Sequence, residues 1–320
     1  MTVTSTRAKP EGTLPDRTGP AAPRKRRRNP LPYLLLLPAV LILLVDMGYP
    51  LLRQITMAFQ HFSLEQQFGK PAEFAGLDNF TRVLGDSAFW LTLGRSLAFC
   101  LVCAALTMAI GIGGALLLTK LSRPVSVFVQ AAMLLAWAMP VLSSLQVFQW
   151  IFDSRSGVVD WTLAGLGLQG MAGYNWFSNP LTFFAVAAIL VIWMSVPLVV
   201  FMVYASVTQI DESMLEASTL DGANGWKQFR EITVPTIAPV LLLVTILEII
   251  WDLRVFTQIF ILQKNGGITE QTNVLGTYVY QVGLSGGDYG VASATALIML
   301  LITLLLTWRY VTQFLKQGEV

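Results

Sequence analysis

Four side chains in the fifth of six long apolar stretches carry the most chemistry in the chain: Glu248, Trp251, Asp252 and Arg254. Ionisable groups inside hydrocarbon are costly, so each is a functional candidate by default. Glu248 and Asp252 stand four apart and share one helical face. Beside them Trp251 could stack on a sugar ring while the carboxylates accept hydroxyl hydrogen bonds, a combination suited to a neutral polyol in a wet cavity. The same residues fit a second role, in which Asp252 is neutralised by Arg254 or by a neighbouring subunit at an interface, and the residue types alone leave both open. Trp193, just before the kinking Pro197, and Trp137 with Ser143 and Ser144 around Pro140 are further candidates for a solute path, with plain packing as the alternative. Asp46, in the first stretch, has no evident role.

Other chemistries are poorly supplied. His61 is the only histidine and Cys100 and Cys103 the only cysteines, so no intramolecular Cys/His metal site is expected. The Cys-x-x-Cys lies in the middle of an apolar stretch, where small packing residues are the plainer reading than a redox pair. A membrane-embedded enzyme would need a nucleophile, base or metal cluster gathered at one depth, and no paired motif provides one.

The elements that must position these groups are set by composition. Of 320 residues 54% are hydrophobic and only 12% charged, with a mean hydropathy of +0.62. Soluble domains are about a quarter charged, so the solvent of this chain is largely lipid. A net charge of +2 is too small for a nucleic-acid binder, and the cations cluster at one end. A bilayer core needs roughly 20 apolar residues per helix, and six runs qualify: Tyr33 to Arg53, Leu97 to Leu118, Val125 to Trp150, Leu181 to Val207, Ile237 to Leu262 and Val291 to Phe314. The first is too long for a signal peptide and holds two prolines, which reads as a retained span. Gly111, Gly113 and Gly114 in the second run read as points of close helix contact.

Residues 1–30 are rich in Pro, Gly, Thr, Arg and Lys and read as a disordered basic tail, leaving 31–320 as the transmembrane domain. Arg24 to Arg28 are five consecutive cations directly before the first span, which pins that end in the cytoplasm. With six spans both termini are then cytoplasmic, and 14 of the 21 Lys and Arg residues fall on that side. The first external segment holds Gly76 to Leu84, where Leu77, Phe80, Val83 and Leu84 are expected to share the buried face of a short helix lying over the spans.

The cytoplasmic loop 208–236 is the most informative stretch. Asp211 can cap a helix, and Glu212 and Glu216 lie in its first turns, where negative charge is favoured. Gly222 permits a sharp break, and a second short helix carries Trp226, Phe229 and Ile232 on one apolar face before Pro235 and Pro239 open the fifth span. Two short helices with an aromatic edge either pack on their own spans or enter a groove on a partner.

At these residues the chain resembles the permease subunits of binding-protein-dependent ABC importers. Their pattern is Glu-Ala-Ala, three residues, Gly, nine residues, then Ile-x-Leu-Pro. Here Glu216-Ala217-Ser218 is followed at the same spacings by Gly222 and by Ile232-Thr233-Val234-Pro235, with Ser218 and Val234 as departures. Leu36-Leu37-Pro38, Tyr49-Pro50, Gly76 to Phe80 and Gly266-Gly267 are similar to the carbohydrate branch, and the first span is more like the F-type subunit of maltose systems than its G-type mate.

The resemblance implies an all-α integral membrane protein with about six transmembrane helices, in the type I ABC importer permease fold, multi-pass in the bacterial plasma membrane. It implies that Glu216, Ala217, Asp221, Gly222, Trp226, Phe229, Ile232 and Pro235 couple to an ATPase. It implies as partners a second homologous permease, two cytoplasmic ATPase subunits, an extracytoplasmic solute-binding protein, lipid and a sugar. No cofactor is expected in this chain, and ATP and magnesium belong to the partner ATPase; the chain itself performs no bond chemistry. Gly283 to Asp288 contains a Leu-Ser-Gly-Gly core like that of an ABC ATPase signature, but the sequence has no phosphate-binding Gly-x-x-x-x-Gly-Lys-Ser/Thr, so this is read as a glycine-rich turn. A disaccharide or short oligosaccharide is the expected solute, with a glycerol-phosphate type of solute as the alternative. An ion-coupled secondary transporter is a further alternative, although no internal repeat is visible.

Overall fold

A computed structural model describes residues 31–317; the basic tail and the last three residues lie outside the described part. The chain divides into two compact units at Pro50. In the first, α1 (Leu31–Leu43) contains Pro38 and continues into a π-helical turn, Leu44–Gly48. Helix α2 (Tyr49–Ala58) straddles the division, and Leu34–Ala58 as a whole is long and apolar enough to cross a membrane.

The second unit opens with a two-stranded antiparallel ribbon, β1 (Gln60–His61) and β2 (Glu73–Phe74), separated by α3 (Leu64–Gln67). Helices α4 (Asp78–Gly85), α5 (Ser87–Lys120), α6 (Arg123–Trp137), α7 (Val141–Ile151), α8 (Val158–Gly165) and α9 (Pro180–Val207) follow. Then come α10 (Glu212–Leu220), α11 (Gly225–Gln228), α12 (Val234–Leu253), α13 (Thr257–Gln263), α14 (Thr269–Thr272), α15 (Leu275–Tyr280) and α16 (Tyr289–Gln317). Besides Leu34–Ala58, four described stretches pass as single spans: Ser87–Lys120, Pro180–Val207, Gly225–Gln263 and Tyr289–Trp308.

Two expected spans are not straight. The run Val125 to Trp150 is split into α6 and α7, which meet at 99°. Pro140 stands at the N-cap of α7 with ψ of 138°, and a proline drives the preceding residue out of the helical region, so the chain turns there. The fifth run is interrupted between Leu253 and Thr257. Helix α12 closes with short-range bonds, Arg254 N–H to Trp251 O and Val255 N–H to Asp252 O, in a segment with neither glycine nor proline.

The expected close approach of the second span is real at two of its three glycines. A Cβ on Gly111 would lie 2.5 Å from Val199 Cγ1, and one on Gly114 would lie 3.0 Å from Val200 Cγ2, whereas one on Gly113 would meet nothing. Here α5 and α9 are locked together, and Ala115, Leu118, Val199, Val200 and Val203 form a core with Ile237 and Val244 of α12. A second core joins Phe99 and Cys103 to Phe183, Leu190 and Ile259, and a third joins Val83, Phe89 and Cys100 to Leu253 and Leu275. Both cysteines are free thiols buried in these cores.

Helix α4 covers the helix ends, but with a different face from the expected one. Leu77 and Leu84 are exposed, while Val83 and Asn79 are buried and Phe80 is half-buried. Asn79 Nδ2 donates to the carbonyls of Ala58 at 2.9 Å and Gln60 at 2.8 Å, and these bonds to the end of α2 and to β1 set the rotation of the helix. Apolar periodicity could not reveal that an amide is the buried anchor.

Because Val199 fills the space over Gly111, Gly111→Ala should lower stability by about 1–3 kcal/mol through overpacking. Thermal unfolding in detergent should show a lowered Tm for Gly111→Ala and none for Gly113→Ala.

Candidate functional site

Two places gather the residues singled out from sequence. The first is a cavity of about 480 Å³ lined by Trp137, Val141, Val191, Met194, Ser195, Trp251, Asp252 and the segment from Arg254 to Gln258. It lies where both interrupted spans have their breaks: α6 ends at Trp137, α7 begins at Val141, α12 ends at Leu253 and α13 begins at Thr257. The indoles of Trp137 and Trp251 are about half exposed, at 46% and 47%.

Asp252 lines this cavity but is 3% exposed, and Glu248, one turn earlier, is fully buried. Glu248 Oε1 and Oε2 and Asp252 Oδ2 are buried without a well-formed hydrogen bond, with the Ser195 hydroxyl of α9 within reach of Glu248. No ion pair joins Asp252 to Arg254 among the described residues. Arg254 is the C-cap residue of α12, past the helical face that carries the acids, and its side chain is exposed. Internal neutralisation of Asp252 by Arg254 is therefore absent from the fold. Buried polar atoms without partners are costly, so this pair of acids is an energetic liability held in the fold.

The remaining sequence candidates fall elsewhere. Trp193 packs at 5.7 Å against Phe148 and lines a separate apolar groove with Phe128, Met133 and Pro197. Ser143 is exposed and outside the cavity, while its neighbour Ser144 is buried and donates to Pro140 O at 3.3 Å. Sequence did not single out Ser195, Thr257 or Gln258, which bring polar side chains to the cavity from α9 and α13.

The second place is the two-helix loop. Asp211 caps α10, accepting from Ser213 N–H at 3.0 Å, and the Ser213 side chain and then its backbone hold the Asp211 carboxyl below the usual range. The helix closes with Gly222 N–H to Thr219 O and Ala223 N–H to Ser218 O, the paired bonds of a Schellman end, with Gly222 at φ of +77°. A side chain there would be strained, which explains the glycine. Asn224 then caps α11, accepting from Lys227 N–H at 2.9 Å.

The second helix is not a separate element, as the sequence pattern suggested. Helix α11 runs through a π-helical turn, Phe229–Thr233, directly into α12. The same arrangement occurs before Pro50, where the turn Leu44–Gly48 likewise ends two residues ahead of a proline. Proline supplies no N–H and crowds the preceding turn, and a widened turn accommodates both effects.

Gln228, unremarkable in sequence, ties the loop together. Its Nε2 lies 3.2 Å from Leu215 O, 3.0 Å from Ser218 Oγ and 2.8 Å from Thr219 Oγ1. With the two helices clipped in this way, Glu216, Ala217, Asp221 and Pro235 are exposed, as are Met214 (51%), Leu220 (90%) and Trp226 (69%). Phe229 and Ile232 are half-buried, and the Phe229 ring stacks 5.5 Å from that of Trp226. Glu216 is thus exposed together with the apolar side chains Met214, Leu220 and Trp226 on the clipped pair of helices.

The sequence profile described as "Binding-protein-dependent transport system inner membrane component" matches residues 106–312. The diacetylchitobiose uptake system permease protein DasB of Streptomyces coelicolor is 38% identical over 288 residues, 90% of this chain and 88% of that protein. The trehalose/maltose transport system permease protein MalF of Thermococcus litoralis is 29% identical over 297 residues, covering 92% and 96%. Among solved structures, a chain of a bacterial ABC transporter involved in the import of the acidic polysaccharide alginate superposes with a TM-score of 0.76. That match covers 89% of this chain and 95% of the other at 21% identity, a likeness of fold.

Removal of the clip should loosen the loop and little else. Gln228→Ala should raise amide exchange across 212–228 by about five- to tenfold, the equivalent of about one net hydrogen bond, with exchange in α5 and α9 unchanged.

Proposed function

The chain belongs to the family of binding-protein-dependent transport system inner membrane components, and from that premise we propose that it is a membrane-spanning subunit of an ATP-driven carbohydrate importer. The observation that carries this is the continuity of the helical run from Gly225 to Leu253. The exposed loop lies at one end and the cavity-lining Trp251 and Asp252 at the other. At 1.5 Å per residue this run is about 40 Å long. A tilt imposed on the loop is delivered to the cavity without an intervening hinge.

In this scheme Glu216, Ala217, Asp221, Gly222, Trp226, Phe229, Ile232 and Pro235 form the docking element for a cytoplasmic ATPase. Trp226, Met214 and Leu220 fill an apolar cleft, and Glu216 pairs with a basic residue of that partner. ATP and magnesium are held by the two ATPase subunits, and their closure reorients the spans in alternating access. A second, homologous permease completes the path, and an extracytoplasmic binding protein delivers the solute. The five cations Arg24 to Arg28 place the N terminus, and with six membrane crossings the C terminus, in the cytoplasm. The crossings number six when α6 and α7 together are one of them. Residues 1–30 then form a cytoplasmic tail ahead of a permease domain over 31–320.

The solute is a disaccharide or short oligosaccharide. Two aromatic surfaces, Trp137 and Trp251, and the acceptor Asp252 around a cavity of 480 Å³ suit a neutral, hydroxyl-rich ring, and the volume is in the range of about 300–1,000 Å³ usual for small-molecule sites. Relatives named for diacetylchitobiose and for trehalose/maltose support the same class. Glu248 lies one turn before Asp252, fully buried beside Ser195, so its influence on the solute path runs through those two cavity-lining side chains.

Purification through a tag on this chain should recover an ATPase whose activity is stimulated by the loaded binding protein. In Glu216→Ala that stimulation and uptake should fall at least tenfold while solute capture by the binding protein is unchanged; full stimulation in the variant would remove the coupling role. For Trp251→Ala, the complex should stay intact and transport should fall about tenfold or change its sugar preference. Dissociation of the second permease in Trp251→Ala or Asp252→Asn would instead assign these residues to the interface.

A further inference from the structure

The segment between α7 and α9 carries polar groups that neither the cavity nor the two-helix loop uses. Asp153 Oδ1 accepts from Ser156 N–H at 2.8 Å, Ser156 Oγ at 2.9 Å and Arg155 N–H at 3.0 Å, a tight turn whose Ser156 donors hold the carboxyl below its usual range. Gly157 closes the turn, where a Cβ would lie 2.3 Å from Asp153 O and 2.7 Å from Ile151 O. The turn is therefore built to one shape. On either side lie two depressions that share Ser154 and Ser156, one of about 460 Å³ with Gln149, Asp153, Asn175 and Asn265, the other of about 370 Å³ with Arg155, Asp160 and Trp161. None of these residues lines the Trp251–Asp252 cavity.

Asp160 is the telling residue. It is 5% exposed, and its Oδ1 accepts from Trp176 Nε1 at 2.5 Å, but its Oδ2 has no hydrogen-bond partner. A carboxylate fixed on one side and unmatched on the other is costly unless a donor arrives from outside. Next to it in the same depression the Trp161 indole is 80% exposed. An aromatic plate beside a carboxylate, with Ser154, Ser156 and Arg155 in the same depression, is the chemistry that recognises a pyranose: ring C–H groups stack on the indole while hydroxyls donate to the acid and exchange bonds with the serines and the guanidinium.

We propose that Trp161, Asp160 and the 153–157 turn form a second saccharide site, at the outer end of the path, that receives the sugar before it reaches the Trp251–Asp252 cavity. This rests on the carbohydrate-importer reading and on its orientation, which puts the segment on the external face. The turn supplies a fixed frame, a small shift of the exposed Trp161 opens the Asp160 carboxylate to a hydroxyl, and the site serves as a first stop that keeps released sugar from diffusing away.

The test is a titration of the purified complex, without binding protein, with diacetylchitobiose, trehalose and maltose, followed by tryptophan fluorescence. A saturable change should appear with at least one sugar in the unmodified complex. Its half-saturation should rise at least tenfold in Trp161→Ala and in Asp160→Asn, stay within about threefold in Trp161→Phe, which keeps the ring, and persist in Trp251→Ala. Trp161 is exposed, so its replacement leaves packing intact. Indistinguishable titrations in Trp161→Ala and the unmodified complex overturn the proposal, as does the absence of a saturable change with all three sugars. An unchanged sugar titration with weakened attachment of the binding protein also overturns it and makes the surface a protein dock. Capture of an ATPase sensitive to Glu216→Ala is read independently, so the importer reading survives or fails separately.

Discussion

Within a bilayer every backbone N–H and C=O must find its partner inside the protein, and the architecture follows from where the chain departs from helix. The departures in the spans are few and packed on protein. The α6–α7 bend begins after Trp137 and the α12–α13 break begins after Leu253, and both open onto the same cavity. Helix ends leave carbonyls and N–H groups without intrahelical bonds. Two interrupted spans therefore bring polar backbone to one place in an otherwise apolar unit, and a wet path for a polar solute needs such a place. The unbroken pair α5 and α9, locked through Gly111 against Val199, is the frame around which these breaks are tolerated.

The two-helix loop is the opposite case, exposed and yet held by its own hydrogen bonds. Its order is local: the Asp211 and Asn224 caps, the Gly222 closure and the Gln228 clip bond several of the helix-end groups and hold the two helices together. Met214, Leu220 and Trp226 remain exposed on it. The π-helical turn before Pro235 joins the loop to α12 without a break in the helical run. The Arg82–Asp288 ion pair of 2.9 Å ties α4 to the start of α16, a region remote in sequence from the loop.

Much of this was legible in the residues. Apolar run length identified the spans, and the spacing of Glu216, Gly222 and Pro235 identified the loop, because both depend on local sequence. What escaped depends on contacts between distant segments. The break after Leu253 has no glycine or proline to announce it. The face of α4 is chosen by Asn79 reaching the carbonyls of Ala58 and Gln60, which reverses the roles expected for Leu77 and Leu84. Trp193 and Ser143 were plausible by type and depth, but α9 and α7 turn them away from the cavity. The cost of ionisable groups in an apolar run points to Asp252 and Arg254 with Trp251 beside them, the neighbourhood of Pro140 points to Trp137, and these four do meet at one cavity.

Ser218 stands where the family pattern has alanine, and its hydroxyl is engaged twice: it donates to Leu215 O at 2.8 Å and meets Gln228 Nε2 at 3.0 Å. That makes α10 and α11 a single exchangeable module. A chimera that grafts only 212–222 from an alanine-bearing relative would strip Gln228 of one acceptor, and a graft of only 223–233 would leave Ser218 facing a foreign side chain. Moving this module intact between proteins therefore means moving the whole stretch from Asp211 to Pro235, junctions included.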